Sequence, residues 1–349
     1  MKGDAYSRLL RPLLFQLSAD RSHELAKLAF KWPLMWTAAG RWARVRDPRL
    51  ETEIAGIKLR NPIGLAAGFD KNVELVRSLS RLGFGYVVVG SITSLPRAGN
   101  PRPRLARFPS HAAIANSMGM PNVGIERALD RLRRLPAGLC PVFASVAGFS
   151  GDELVTAAAS VEPYCDAVEI GLICPNSTAE ERFEELDIFE RVVKDLVSRR
   201  RKPVFIKLPT ASSGEGRNHM LSMVDICVDG GIDAVCVSAS RRIRSTGLAA
   251  GEGSFTGRPV FQESLRVVAD VVSRAKGRLA VKGAGGVFTG GDAIAMLEAG
   301  ASTVELYSAF IYRGWNVAGH VNRELLDEMT MAEAMSIGEV RGGHSAVRV

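Results

Sequence analysis

Residues Leu279-Ala280-Val281-Lys282-Gly283-Ala284-Gly285-Gly286-Val287 pass from a short apolar run into a glycine cluster, and Thr289-Gly290-Gly291 then opens a helical pattern. The next unit repeats the plan: Thr303-Val304-Glu305-Leu306 leads into Tyr307-Ser308-Ala309 and another helix. A glycine loop after one strand and a helix start after the next make an anion site, because backbone N–H groups and the helix dipole both favour negative charge. Read outward, the unit recurs along the chain. Apolar runs of about five residues without polar alternation, the mark of strands buried on both faces, lie at 62–66, 86–89, 141–146, 167–173, 204–208, 234–237, 279–281 and 303–306. Amphipathic helical stretches separate them at 72–82, 151–161, 183–199, 219–229, 263–275 and 292–299. Eight such strands with helical crossovers predict an α/β fold, a (β/α)8 TIM barrel, over a doubly wound open sheet.

Three segments follow. Residues 1–48 form an N-terminal helical extension with helices at 6–17 and 23–36 and Ser18 or Asp20 as the cap between them. Residues 49–331 form the barrel, and 332–349 a polar, partly ordered tail. Leu9, Leu10, Leu13, Leu14 and Leu17 make one apolar face of the extension, and Leu28, Phe30, Trp32, Leu34, Met35 and Trp36 another. Either these faces pack on the barrel, or they form an interfacial hairpin with Arg8, Arg11, Lys27, Lys31 and Arg41 toward anionic headgroups.

Composition narrows the function. The 349 residues include 45 Lys+Arg against 37 Asp+Glu, a net charge of +8, but the basic residues are scattered and nucleic acid is not the expected partner. Five cysteines (Cys140, Cys165, Cys174, Cys227, Cys236) form no CxxC pair, which suits a reducing compartment and argues against a metal site. No stretch approaches the roughly 18 apolar residues of a membrane span, and no signal peptide opens the chain. The expected location is cytoplasmic, with peripheral contact to the cytoplasmic face of the inner membrane if the extension is interfacial.

In a barrel the strand ends carry function. The first gives Ala66-Ala67-Gly68-Phe69-Asp70-Lys71-Asn72, small residues that admit a planar ligand, with a cation beside it. The second gives Gly90-Ser91-Ile92-Thr93, and the fourth gives Gly171-Leu172-Ile173-Cys174-Pro175-Asn176-Ser177. Cys174 at a strand end is a candidate proton-transfer base or an inert buried thiol. Lys207, ending the fifth strand, is a candidate partner for a flavin ring or a member of a buried ion pair.

These segments, in this order, resemble the dihydroorotate dehydrogenase family of flavin mononucleotide (FMN) barrels from about Arg11 to Met329. The most specific pieces are Asn61-Pro62-Ile63-Gly64-Leu65-Ala66-Ala67-Gly68-Phe69-Asp70-Lys71-Asn72, Gly99-Asn100-Pro101-Arg102-Pro103-Arg104-Leu105, Asn116-Ser117-Met118-Gly119-Met120-Pro121-Asn122, and Gly285-Gly286-Val287 with Gly300-Ala301. Arg11-Pro12-Leu13-Leu14-Phe15 through His23-Glu24-Leu25-Ala26 resembles the extension of the membrane-associated class 2 enzymes, where it admits quinone. The resemblance implies FMN contacts at Ala66, Ala67, Gly68, Ser91, Ser145, Lys207, Ser238, Gly257, Gly285, Gly286, Tyr307 and Ser308. It implies substrate contacts at Lys71, Asn116, Gly119, Asn176 and Ser240, and makes Cys174 the base that removes the C5 proton of dihydroorotate. Two features depart from the family: a Cys base is the class 1 choice, and Gly171 and Ala239 stand where the family has Asn. The implied activity is dihydroorotate oxidation with quinone as acceptor. A different cyclic substrate and a non-catalytic flavin-binding scaffold are the alternatives.

Overall fold

The computed structural model describes residues 6–172, 183, 185–210 and 214–342. An antiparallel hairpin, β1 (Thr52–Ile54) and β2 (Ile57–Leu59), precedes the first barrel strand, β3 (Ile63–Asp70). The strand β4 (Tyr86–Ile92) follows, then an excursion containing β5 (Leu105–Phe108) and β6 (Ala113–Asn116), and then β7 (Val142–Val146), β8 (Ala167–Gly171), β9 (Val204–Lys207) and β10 (Ala234–Val237). A second excursion, β11 (Arg241–Arg244) and β12 (Glu252–Gly257), comes before β13 (Ala280–Ala284) and β14 (Thr303–Leu306). Strands β3, β4, β7, β8, β9, β10, β13 and β14 close in that order into a parallel barrel, and the excursions pair as an antiparallel sheet β11-β12-β6-β5.

Strand alternation separates two apolar compartments. Tyr86, Phe143, Phe205, Ala167 and Ala234 fill the interior, with the Tyr86 and Phe143 rings stacked at 4.5 Å and Phe143 edge-on to Phe205 at 5.1 Å. Val204, Ile206, Val235 and Val237 belong to the larger cluster between sheet and helices. Gly64 is required inside the barrel, since a Cβ there would lie 2.2 Å from the Tyr86 ring.

All eight predicted strands occur, with ends shifted by a few residues. Outside them, the helices are α1 (Arg11–Gln16), α2 (Ala19–Phe30), α3 (Pro33–Ala43), α4 (Val76–Leu79), α5 (Ile125–Arg133), α6 (Gly151–Val161), α7 (Leu186–Arg199), α8 (Gly214–Asp229), α9 (Phe261–Ala275), α10 (Gly290–Glu298), α11 (Ser308–Arg313), α12 (Val317–Met331) and α13 (Ile337–Gly342). Three predicted helices differ. The helix expected at 72–82 is only the single turn α4, because the Asp70 carboxylate accepts the Glu74 and Leu75 N–H groups (2.9 and 2.7 Å) and holds the chain in a turn. The helix expected at 23–36 breaks into α2 and α3, since Pro33 cannot continue α2 but suits the first turn of α3. The helix expected at 6–17 starts as a π turn, Tyr6–Leu10, before α1. Ser18 is the cap of α2, accepting Arg21 N–H at 3.3 Å. The stretch after Met331, expected to be a polar tail, contains α13, whose Ile337 is buried and whose Arg341 donates to Ser302 Oγ at 3.0 Å.

The extension buries some of its apolar residues against the barrel and leaves others exposed. Phe30 and Trp36 are buried and stacked at 4.4 Å, and Phe30 meets Phe69 and Phe310 of the barrel at 5.9 and 5.6 Å. Leu9, Leu10, Leu13, Leu28, Trp32, Leu34 and Met35, with Trp42, face outward. Of the expected headgroup-facing cations, Arg11 instead bonds Tyr312 O (3.1 Å), Lys31 pairs with Glu74 (3.2 Å) and Lys27 with Glu24 (3.5 Å), while Arg8 and Arg41 are exposed. Arg11 and Lys31 thus serve the docking of the extension. Among the described residues no helix is long and apolar enough to cross a membrane.

Candidate active site

The barrel brings most of the predicted residues to the C-terminal ends of its strands. At β3, Ala66, Ala67 and Gly68 end in a turn where Lys71 Nζ donates to Gly68 O, and Tyr307 Oη reaches the same carbonyl at 3.4 Å. Gly68 has φ +101°, and a Cβ there would lie 3.6 Å from the Tyr307 ring. At β4 and β7, Ser91 Oγ and Ser145 Oγ are hydrogen-bonded at 2.9 Å. Gly171 ends β8 beside them, a Cβ built on it lying 3.3 Å from Ser91 Oγ. Lys207 ends β9 in register with Gly171 and Cys236, and is half-buried.

After β10, β13 and β14 the loops close on one another. Ser238 is half-buried; beside it, Ala239 N–H donates to Ser264 Oγ at 3.0 Å. A Cβ on Gly285 would meet that Ser264 oxygen at 2.3 Å, and one on Gly286 would meet Gly257 O at 2.8 Å. Both Gly285 and Gly286 have positive φ, so glycine is required on conformational and on steric grounds. Ser308 opens α11 directly after Tyr307, and α10 opens on a capping box in which Thr289 and Asp292 satisfy each other's N–H groups.

Other predicted residues sit on the excursion loops. Asn116 ends β6 and donates to Ser254 O at 3.4 Å; Gly119 is buried against Asn100; Ser240 Oγ lies 3.0 Å from Thr210 Oγ1. Cys174 and Asn176 lie outside the described residues.

Next to Lys71, a cavity of about 240 Å³ opens beneath α2. His23, Lys27, Lys71, Arg97 and Arg104 line it with a single carboxylate, Glu24. Burial and then the charges of Lys27 and Arg104 pull the Lys71 pKa down to about 8, while burial and then Lys71 and Lys27 pull His23 down to about 3 and keep its imidazole neutral. The arrangement selects for an anion: several cations already repel one another there, and a bound negative charge relieves that cost.

One group was not singled out as a site from the sequence. Inside the barrel, just below the mouth, Lys282 Nζ lies 2.6 Å from Glu169 Oε2 and 2.7 Å from Glu305 Oε1, all three residues being fully or almost fully buried. Tyr86 Oη donates to Glu305 at 3.3 Å, the Cys236 thiol donates to its other oxygen at 3.5 Å, and the rings of Tyr86, Phe143 and Phe205 surround the ammonium at 5.3–5.4 Å. The available signal was a charged residue in the middle of each of three apolar runs: Ala167-Val168-Glu169-Ile170, Ala280-Val281-Lys282-Gly283 and Thr303-Val304-Glu305-Leu306.

Comparison with known proteins agrees with this architecture. The profile of the family described as dihydroorotate dehydrogenase matches residues 49–329. A dihydroorotate dehydrogenase (quinone) of Bradyrhizobium sp. (strain ORS 278) is 32% identical, the match covering 98% of this chain and 97% of the relative. One from Anaeromyxobacter sp. (strain K) is 34% identical over 97% of this chain and 98% of its own length. The crystal structure of the Eimeria tenella dihydroorotate dehydrogenase in complex with ferulenol superposes with a TM-score of 0.81 at 27% identity, covering 93% of this chain and 96% of that one. With the closed barrel, the helical extension and near-complete coverage by its relatives, the chain belongs to the dihydroorotate dehydrogenase family.

Proposed function

We propose that this chain oxidises (S)-dihydroorotate to orotate in pyrimidine biosynthesis, with FMN as resident cofactor and a quinone as acceptor. The observation that carries the reading is the barrel mouth itself: small residues at nearly every strand end, a half-buried cation at Lys207, and an anion-selecting cavity beside Lys71. These residues fit a flat, anion-tailed group. The side-chain-free positions Gly68 and Gly171 leave open the space that a Cβ would enter near Tyr307 and Ser91. Gly257, Gly285, Gly286 and the start of α11 at Ser308 are suited to the phosphate end. Bound FMN would supply the hydride acceptor for C6 of the substrate.

The chain's own groups do the rest. Lys71 holds the substrate carboxylate, and Asn116, Gly119, Asn176 and Ser240 orient its ring. Cys174 takes the C5 proton. Ala66, Ala67, Ser91, Ser145, Ser238 and Tyr307 line the flavin, and Lys207 places a positive charge where electrons arrive. Quinone reaches the site from the side of α2 and α3, whose residues Leu25, Leu28, Leu34 and Trp42 are exposed and suit contact with the cytoplasmic face of the inner membrane. Anaerobic addition of dihydroorotate to the FMN-loaded protein is expected to bleach the flavin at a rate fast enough for turnover; flavin that only dithionite reduces would overturn the substrate assignment.

A second reading has a specific basis. Gly171 and the buried Ala239 offer no side-chain polar group, and Ala239 N–H is already bonded to Ser264. A substrate ring that asks less of these two positions than dihydroorotate does is the alternative, and the same bleaching experiment with other cyclic amides separates the two.

Lys71 makes binding pH-dependent. Only its protonated form attracts a carboxylate, and its pKa in the free protein is about 8. Orotate affinity is therefore expected to be flat below that pH and to fall about tenfold per pH unit above it. Titration of the flavin absorbance with orotate checks this, and Lys71→Gln should flatten the profile; a wild-type affinity independent of pH would show that Lys71 does not face the anion.

A further inference from the structure

Glu169, Lys282 and Glu305 have no part in the chemistry above, yet they place three charges in the least solvated region of the fold. Desolvating such a triad is costly, and apolar replacements of similar volume are commonly neutral or stabilising. Interiors of this kind of barrel are ordinarily filled with branched apolar side chains. Glu169 and Glu305 with Lys282 alone leave one excess negative charge. One oxygen of that cluster, Glu169 Oε1, is buried and has no hydrogen-bond partner among the described residues. The cation that balances the sum is Lys207, on the adjacent strand and in register with Gly171, two residues beyond Glu169.

Resting on the FMN reading, we propose that Glu169 is a positioning residue: its free oxygen is the counter-charge of Lys207, and the Glu169–Lys282–Glu305 cluster holds Lys207 as a cation beneath the flavin and so favours electron uptake by the cofactor. Among the described residues, the titratable groups that act on Lys207 are Cys236 on β10, Glu169 on β8, Glu305 on β14 and Lys282 on β13. Burial alone would lower the Lys207 pKa, and Lys282 opposes its charge as well, while the Glu169 and Glu305 carboxylates favour the cation. Burial, followed by the Glu305 charge, keeps the Cys236 thiol protonated. Glu169, Cys236 and Glu305 also have the donor chemistry of a metal site, with ligand atoms within 4.8 Å of one another, but Lys282 Nζ already bonds both carboxylates.

The test is the midpoint potential of bound FMN from about pH 6 to about pH 10 in the wild type, Glu169→Gln, Lys282→Met, the double variant and Lys207→Met. In Glu169→Gln, Lys207 is expected to lose its proton within that range. Above the break, the preference for reduced over oxidised flavin falls by roughly tenfold, about 30 mV for a two-electron couple. Combining Glu169→Gln with Lys282→Met removes one charge of each sign and restores the wild-type profile. In a Lys207→Met background Glu169→Gln has no effect. A Glu169→Gln profile equal to wild type, or a shift that persists without Lys207, would overturn the proposal. Should Glu169→Gln fail to fold, Lys282→Met and the double variant carry the test: the single variant disfavours reduced flavin at every pH and the double restores it, whereas equal potentials reject the idea. Wild-type protein that takes up no FMN defeats the cofactor reading itself; flavin-loaded protein with unresponsive variants defeats only this one.

Discussion

Cys174→Ala protein is expected to hold as much FMN as the wild type and to reduce it with dihydroorotate about 10²–10⁴-fold more slowly, the usual contribution of a positioned general base. Carbon-bound protons at C5 are not lost at a useful rate without such a base, and a thiol, with an ordinary pKa near 8.5, is a competent one at neutral pH. The flavin contacts assigned here come from other strand ends, β3, β4, β7, β9, β10, β12, β13 and β14, so removing one sulfur leaves the cofactor cradle in place. Cys174→Ser should fall between the two, since a hydroxyl keeps the geometry with a weaker base. Stopped-flow bleaching and the flavin-to-protein absorbance ratio give both quantities. Flavin loss in the Ala variant would make Cys174 structural, and an unchanged bleaching rate would move the base elsewhere.

The second large effect concerns the extension. Leu13, Trp32, Leu34 and Trp42 are 62, 73, 85 and 79% exposed, so replacing all four with Ser or Gln removes little packing and should change the melting temperature only slightly. If those side chains enter a bilayer interface, each contributes about 1.5–3 kcal/mol when fully transferred. Even at half that depth their joint loss weakens vesicle binding by roughly 10²-fold or more. The variant is expected to stay in the supernatant with anionic vesicles, to lose quinone reduction there, and to keep its rate with a water-soluble dye. Phe30 and Trp36 must be left intact, because Phe30 is buried against Phe69 and Phe310, Trp36 against Phe30 and Trp315, and together they hold the helices to the barrel. Vesicle binding that survives the fourfold change would mean that the outward face serves another purpose.

Much of this architecture was legible in the chain because barrel strands are short, apolar on both faces and separated by helices of characteristic period. The runs at 234–237 and 303–306 were read to the residue, and the position of Tyr307 followed from where the second of them ends; Gly285 and Gly286 follow β13, which runs to Ala284, three residues past the expected 279–281. The excursion strands were missed: β5 and β11, Leu-Ala-Arg-Phe and Arg-Arg-Ile-Arg, carry charges and no long apolar pattern, and become strands only by pairing with β6 and β12. The turn at Asp70 was missed for a similar reason, since a single carboxylate capturing two N–H groups overrode a helical-looking run.

Sequence by itself determined the barrel, its helical front and the chemistry available at the strand ends, because local periodicity and glycine placement are written residue by residue. Tertiary structure alone decided which charges meet. Glu169, Lys282 and Glu305 are more than a hundred residues apart at their extremes, and only closure of the barrel through the β13–β14 and β14–β3 ladders brings them to one point. It also decided which apolar residues of the extension are buried and which stay outward, since a helix face has no fixed role until something packs against it.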